Sequence, residues 1–468
     1  MRLLGPIGRW IDDRLGLSPA VQHTLLHPIP RANAGRKGWM YIFGAATLVA
    51  FVVQVVTGVA LATKYIPAPG HAHQSLLLIN DTRLGALLRG MHFWSASAMV
   101  LLVFLHMART FLTGSYKFPR EMNWITGGFL LGLTLAMAAT GQLLRWDQDG
   151  VWTVVVWAKF ADRVPLIGEH VARFFLGGDT VGGLTLTRFF AFHVFVFPAL
   201  MFILIGVHLY LVAYHGISEP PQPGKRVERG TYRAHYAGLL ERGRPYFPDG
   251  TWREAVVAAA LVAVVVVLAL VIGPVGPGPA PDPTDVAAVP KPDWFFLWYY
   301  TLVWLKPPRF ETLVMVYFPL GVGVLLYLIP LLARGGERSA RRRPWAIAAV
   351  GATVLVWGVL TGYGVSSYWV PDFDSPPIAP AALGIPPGPA ADGARVFHER
   401  GCQYCHAVRG QGGRYGPDLT RVTRRMSPEE TTHRIVAGIR DMPAYRALPV
   451  AEVEALLAFF QAAAERGR

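Results

Sequence analysis

Along the chain, long runs with almost no charge alternate with short stretches where Lys, Arg, Asp, Glu and Pro collect. Seven runs, at residues 39–62, 90–112, 124–144, 189–213, 252–274, 311–333 and 345–364, are long and apolar enough to cross a bilayer. Each approaches the ~20 residues that carry a helix across a hydrocarbon layer of about 30 Å. They are numbered here as spans one to seven. Between spans three and four, residues 145–188 mix aromatic and charged positions (VWTVVVWAKFADRVPLIGEHVARFF) and are too polar to span. Short helices lying along the membrane surface and covering a site are expected there. Two Pro-rich stretches, GPVGPGPAPDPTDVAAVPKPDWFF before span six and residues 369–385 after span seven, predict extended, stiff connections. The expected fold is therefore an all-α membrane protein with a seven-helix bundle and a small all-α soluble domain. The expected divisions are 1–38 (surface segment with a possible amphipathic helix in GRWIDDRLG), 39–213, 214–368, the linker 369–385 and the soluble domain 386–468. No internal repeat suggests a transporter built from inverted halves.

Composition agrees: 53% of residues are hydrophobic and 16% charged, too apolar for a soluble protein of 468 residues. The net charge of +14 would suit a nucleic-acid binder, but its distribution reads as topology. Segments 1–38, 114–123, 214–251 and 334–344 hold 19 Lys and Arg, whereas 63–88, 145–188 and 275–310 hold 10, offset by 9 acids. The bias places the amino terminus in the cytoplasm and, after seven crossings, the carboxyl terminus outside. The first 38 residues have no short apolar core with a cleavage site, so span one is expected to serve as a retained insertion signal.

Four histidines interrupt the apolar pattern, His92 and His106 in span two and His193 and His208 in span four. Ionisable groups within spans are costly and point to function. On an α-helix the first spacing of 14 falls about 40° short of four turns, and the second spacing of 15 overshoots by about 60°. Each pair thus lies roughly on one face, with its members about 21 Å apart in the first and about 22 Å in the second. If the two spans face each other, His92 meets His193 and His106 meets His208, holding two stacked bis-imidazole metal centres. Gly44 and Gly58 in span one, and Gly127 and Gly141 in span three, repeat the spacing of 14. Glycine is common at membrane-helix contacts, yet this coincidence suits the close backbone approach of a flat macrocycle, making the centres two haems. The histidines His23, His27, His71, His73, His170, His215, His235, His398 and His433 read as surface groups. Among them, His215 is a secondary candidate for contact with a quinone or a propionate.

The only cysteines, Cys402 and Cys405, lie in CQYCH. The adjoining His406 selects covalent c-type haem attachment over a redox dithiol, and no second cysteine pair completes a zinc site. Met442, in DMPAY, is favoured over Met426 as the sixth ligand, the alternative being a core packing role. Such haem is attached outside the bacterial membrane, where the charge bias independently puts this tail. Asp293, in PKPDWFF, sits among Trp294, Phe295 and Phe296. It reads either as a desolvated proton acceptor or as a solvated loop acid.

Taken together, the runs QVVTGVAL, MHFWSASAMVLLVFLHMARTFLTGSYKFPREMNWITG, GQLLRWDQ, LTLTRFFAFHVFVFPAL to AYHGISEP, and PDWFF resemble the cytochrome b subunit of quinol:cytochrome c reductases (cytochrome bc complexes) and their photosynthetic bf relatives. The resemblance covers residues 39–364. The tail from residue 386, with CQYCH, the run Gly416 to Leu419 and Met442-Pro443, resembles a class I cytochrome c. The resemblance implies two non-covalent b haems, a low-potential one on His92 and His193 near the outer face and a high-potential one on His106 and His208 near the cytoplasm, plus one covalent c haem. It implies that Arg89, Arg109 and Arg188 lie near haem propionates or haem pockets. It implies that Asp293 replaces the glutamate of the PEWY quinol-oxidation motif, with Pro292, Trp294 and Phe295 lining the quinol site. The spacing of 15 is similar to that of the photosynthetic and Gram-positive branch. Three departures stand out: Phe295 for the motif tyrosine, Phe93 for an arginine after the first histidine, and Ile42 where photosynthetic relatives anchor an extra haem through cysteine.

The expected function is that of a proton-translocating quinol:cytochrome c reductase core subunit in a bacterial inner membrane. One electron from quinol would go through the two b haems to a cytoplasmic-side quinone, and the other through a separate Rieske iron-sulfur protein to the fused c haem. Expected partners are that Rieske protein, a downstream cytochrome c or terminal oxidase, and a second copy of the complex, with no nucleic acid. The rival reading is a non-bifurcating dihaem conduit to the tethered cytochrome. A haem-based sensor is disfavoured because no signalling domain follows.

Overall fold

A computed structural model describes residues 26–282, 291–367, 371–438 and 442–465, together with Trp10 and Arg14. The run GRWIDDRLG and the middle of the first Pro-rich loop lie largely outside these residues. The described chain is mostly helical and divides into two compact units, one reaching to Gly362 and the other running from Tyr363 to the carboxyl terminus with a short piece of the Pro-rich loop.

Among the described residues, seven helices are long and apolar enough to cross a membrane. We label them with the shorter helices between: α1 (Phe43–Ala62), α2 (Arg83–Leu112), α3 (Glu121–Leu143), α4 (Gln148–Asp162), α5 (Gly168–Leu176), α6 (Gly183–His215), α7 (Thr251–Val271), α8 (Trp294–Leu305), α9 (Leu313–Leu332) and α10 (Pro344–Ser366). Only 6 to 28% of each span's most apolar window is buried within the chain. The remaining apolar surface would be unstable in water and suits lipid. Spans two and four begin earlier than their apolar runs, at Arg83 and Gly183, because Thr82 and Gly182 supply helix starts. The Thr82 hydroxyl accepts from the Gly85 amide at 3.1 Å, satisfying a free N–H of the first turn.

The packed centre of the bundle joins α1, α2, α3 and α6 through Ala50, Phe51, Met99 and Met201, with Leu133 and Met137 against them. These residues lie midway along their helices, so an apolar plug separates the two histidine tiers. The surface helices expected between spans three and four are present as α4 and α5. Asp147 caps α4, accepting from the Gly150 amide at 2.8 Å, and Gly177 closes α5 with a φ of 78° that glycine adopts without strain. Leu143, Trp146, Val154, Leu176, Leu186 and Phe189 form the core beneath them.

Helix α6 is not a regular α-helix. Residues Phe192–Val196 form a π-helical turn, in which the Phe197 amide bonds to the Phe192 carbonyl. Pro198 follows at once. It has no N–H to donate and its ring crowds the carbonyl four residues back, so widening the turn relieves both problems. The same pairing of a π turn with Phe-Pro recurs in α9, at Leu313–Tyr317 before Phe318-Pro319.

The second unit is a small helical domain with α11 (Pro389–Glu399), the one-turn α12 (Cys402–Cys405), α13 (Pro428–Ala437) and α14 (Val450–Glu465). Phe397, Phe459, Phe460, Leu456 and Val408 fill its core. Two arginines close α14, with Arg409 Nε donating to the Ala463 carbonyl and Arg424 Nη2 to that of Ala464, each at 3.0 Å.

Candidate functional site

The first unit brings the four span histidines together as two pairs. The His92 and His193 rings lie with centroids 6.3 Å apart. Metal–nitrogen bonds of about 2 Å on opposite sides of one ion place two imidazole centroids ~6 Å apart, so the pair already stands at the separation of a bis-histidine centre. His106 and His208 are likewise neighbours. The π turn corrects the expected 60° offset: it absorbs one residue, so the 15-residue interval from His193 to His208 turns through the angle of 14 regular residues. Both histidine pairs therefore keep one face. Pro198 was the sequence signal for this wide turn.

Glycine faces each of the four rings. A Cβ added at Gly44 would come within 3.2 Å of His106 Cε1, at Gly58 within 3.1 Å of His92 Cε1, and at Gly141 within 2.8 Å of His193 Cε1. At Gly127 it would lie 3.6 Å from His208 Cε1. Three of the glycines follow a threonine whose hydroxyl reaches the same ring. Thr57 Oγ1 lies 2.9 Å from His92 Nδ1, Thr126 Oγ1 2.9 Å from His208 Nδ1, and Thr140 Oγ1 3.1 Å from His193 Nδ1. Each hydroxyl also donates to the carbonyl four residues back, on Val53, Met122 and Ala136. With its hydrogen so engaged, the oxygen accepts from Nδ1–H and leaves the Nε2 lone pair free to bind a metal. These Thr-Gly pairs were visible in the sequence, where only the glycines drew notice.

Arg109, three residues beyond His106, lies over the Tyr41 ring at 3.6 Å, and its buried Nε and Nη2 have no hydrogen-bond partner. Those orphaned donors fit an anionic group such as a propionate. Arg89 is engaged differently: it donates to Asn80 at 3.0 Å and to the carbonyls of Val275 and Gly276 at 2.8 and 2.5 Å. Arg188 donates to the Phe174 carbonyl, tying α6 to α5.

The Pro-rich loop after α7 is fastened at several further points. Trp94 Nε1 donates to the Gly273 carbonyl at 3.0 Å, and the Gly278 amide donates to the Asp147 carboxylate at 2.9 Å. His73 Nε2 donates to the Gly278 carbonyl at 2.8 Å, so this histidine is a loop fastener rather than the solvated surface group expected. These contacts join residues up to about 200 positions apart and leave no local signature.

Asp293 stands at the head of α8 with no capping hydrogen bond from its side chain. Burial, the largest influence, pushes its carboxyl above the usual carboxylate range; Arg145 opposes this, and Asp147 and Asp149 reinforce it. Trp294 Nε1 donates to Ser97 Oγ on α2 at 3.4 Å, about one and a half turns from His92. Phe295 is buried, Phe296 meets Trp157 edge-on at 5.8 Å, and Tyr299 and Tyr300 pack against Phe160. Helix α4 thus covers α8 through aromatic contacts.

In the second unit, Cys402 and Cys405 stand at the two ends of the one-turn α12. His406 Nδ1 donates to the Pro417 carbonyl at 2.8 Å, again freeing Nε2, and a Cβ at Gly416 would come within 2.6 Å of the ring. Buried Gln403 anchors the turn to Ser375 at 3.0 Å and accepts from the Ile378 amide at 3.2 Å. Met442 and Met426 both pack against the core of this unit.

Membrane helices carrying two tiers of paired, tautomer-fixed histidines opposite glycines define a haem-binding electron-transfer bundle. Residues 33–216 match the family model described as Cytochrome b/b6/petB, and residues 388–460 match that described as Cytochrome C oxidase, cbb3-type, subunit III. The chain is 38% identical to cytochrome b6 of Heliomicrobium gestii, covering 45% of this chain and 99% of that one. It is also 38% identical to the menaquinol:cytochrome c reductase cytochrome b subunit of Bacillus subtilis, covering 47% and 100%. A chain of the solved "Hyperthermophilic respiratory Complex III" is similar with a TM-score of 0.64 at 25% identity, over 77% of this chain and 91% of that chain. The chain belongs to the cytochrome b/b6 family and carries a cytochrome c domain at its carboxyl terminus, so haem b and haem c are its prosthetic groups.

Proposed function

We propose that the chain is the core subunit of a proton-translocating quinol:cytochrome c reductase in a bacterial inner membrane, with its amino terminus cytoplasmic and its cytochrome c domain outside. The excess of Lys and Arg on one set of loops supports that orientation. His92 and His193 hold one b haem on the outer side, and His106 and His208 hold the other near the cytoplasm, where Arg109 offers unpaired donors. Cys402, Cys405 and His406 hold the c haem, with Met442 as its sixth ligand. When bound, these groups supply one-electron relays: inward across the membrane to a quinone, and outward through a separate Rieske protein to the c domain. The Rieske centre belongs to another chain, because a Rieske iron needs two cysteines and both cysteines here lie in CQYCH.

The observation that carries this reading is the stapling of PDWFF to α2 beside His92. It sets the buried carboxyl of Asp293 at the outer histidine tier, under α4, where quinol can surrender a proton as its electrons leave. Pro292, Trp294 and Phe295 border the same place. The name of the Bacillus relative supports menaquinol as the substrate class, and that of the solved complex III chain supports assembly into a respiratory complex, whose dimeric state is part of this proposal. Purification of the native complex tests the reading. A Rieske protein should co-purify, and its removal should stop reduction of the c haem by quinol. A complex that lacks one yet still reduces the c haem would overturn the bifurcated route in favour of a simple dihaem conduit.

A further inference from the structure

Three of the four haem-facing histidines have a threonine hydroxyl on Nδ1, and the fourth does not. His92 and His193 each have one, through Thr57 and Thr140, so the outer tier has two. The inner tier has Thr126 on His208 alone. Ahead of Gly44, where the other glycines have threonine, stands Phe43, whose side chain offers no acceptor to His106. An oxygen that accepts from Nδ1–H makes the imidazole a stronger donor through Nε2 and favours the oxidised metal.

We infer that Thr57, Thr126 and Thr140 are positioning residues that fix ring orientation and tautomer, and that their two-to-one distribution is a source of the lower potential that the family resemblance implies for the outer b haem. This rests on the assignment of the two b haems above. One electron then moves inward downhill with no bond made or broken at the imidazoles, and Phe43 is as much a part of the bias as the threonines are.

Redox titration of the whole complex, following the b-haem absorption bands, tests this. Thr140→Val and Thr57→Val should each move the outer haem toward reduction by roughly tenfold in its equilibrium, ~59 mV for a one-electron couple. Thr126→Val should do the same to the inner haem only. Thr140→Ser, which keeps the hydroxyl, should leave the potential unchanged. Phe43→Thr should lower the inner potential and narrow the gap. Retained haem with unmoved potentials in the valine variants would overturn the inference, as would haem loss in both the valine and serine forms, which would reduce the threonines to packing. Haem loss in valine but not serine would support the hydroxyl's positioning role. A wild-type complex without two low-spin b haems would instead overturn the haem assignment itself.

Discussion

Glu219 Oε1 and Arg338 Nη1 meet at 2.7 Å, joining the loop after α6 to the loop after α9 in a largely buried ion pair. The Tyr232 hydroxyl donates to the other carboxylate oxygen at 2.9 Å, and Arg120 Nη1 donates to that hydroxyl at 2.7 Å. Burial alone would push the Glu219 carboxyl up, but Arg338, a backbone amide, Tyr232 and Arg120 together hold it below its usual range. Removing one partner of a buried pair costs about 3–5 kcal/mol. Glu219→Gln should therefore lower the thermal midpoint of the detergent-solubilised complex near neutral pH. A depressed carboxyl contributes stability above its unfolded pKa and loses it as pH falls through the folded value. The difference between wild type and variant should shrink on acidification below the ordinary carboxylate range, and a constant difference would count against the ion pair as its cause.

Asp293→Asn should slow quinol oxidation by roughly 100-fold, the scale of a lost general base, while leaving the haem spectra intact. Because burial raises the Asp293 carboxyl, the wild-type rate should fall as pH drops through that raised value, where the group is protonated and cannot accept. The asparagine variant should lack this acid limb. Steady-state quinol:cytochrome c assays across pH decide it, and unchanged turnover would remove Asp293 from proton transfer.

The glycines separate by distance. Gly141→Ala would set its Cβ 2.8 Å from His193 Cε1, closer than side chains tolerate, whereas Gly127→Ala would make an ordinary 3.6 Å contact with His208. Difference spectra of membranes should show loss of the outer b haem in Gly141→Ala and near-normal b-haem content in Gly127→Ala. Equal effects would mean that the ring contacts do not set tolerance.

Pyridine haemochrome analysis should find b and c haem in a ratio of about 2 to 1, with Ile42 providing no thiol for a further covalent haem. Met442→Ala should lower the c-haem potential and remove its methionine–iron charge-transfer absorption, whereas Met426→Ala should leave both in place. The opposite pattern would reassign the sixth ligand.

The seven spans and the two tiers of paired histidines were legible in the sequence because a membrane enforces long apolar runs and histidine is costly within them. The glycine spacing was legible because glycines recurring at the histidine interval suit the close approach of a large flat group. The clamp of Arg89, His73, Trp94 and Asp147 on the loop at residues 273–279 was not legible, since each contact depends on where distant helices end. The threonine hydroxyls were missed for a different reason. Thr57, Thr126 and Thr140 look like ordinary helix residues until a neighbouring helix brings an imidazole within 3.1 Å.

The wide turn at Phe192–Val196 separates the length of α6 from the placement of its ligands. A deletion of one residue there, made together with Pro198→Ala, would let the helix tighten while both rings stay opposite their partners. Interatomic geometry at the haems is thus set by the number of turns, and a residue can be gained or lost as slack without disturbing it.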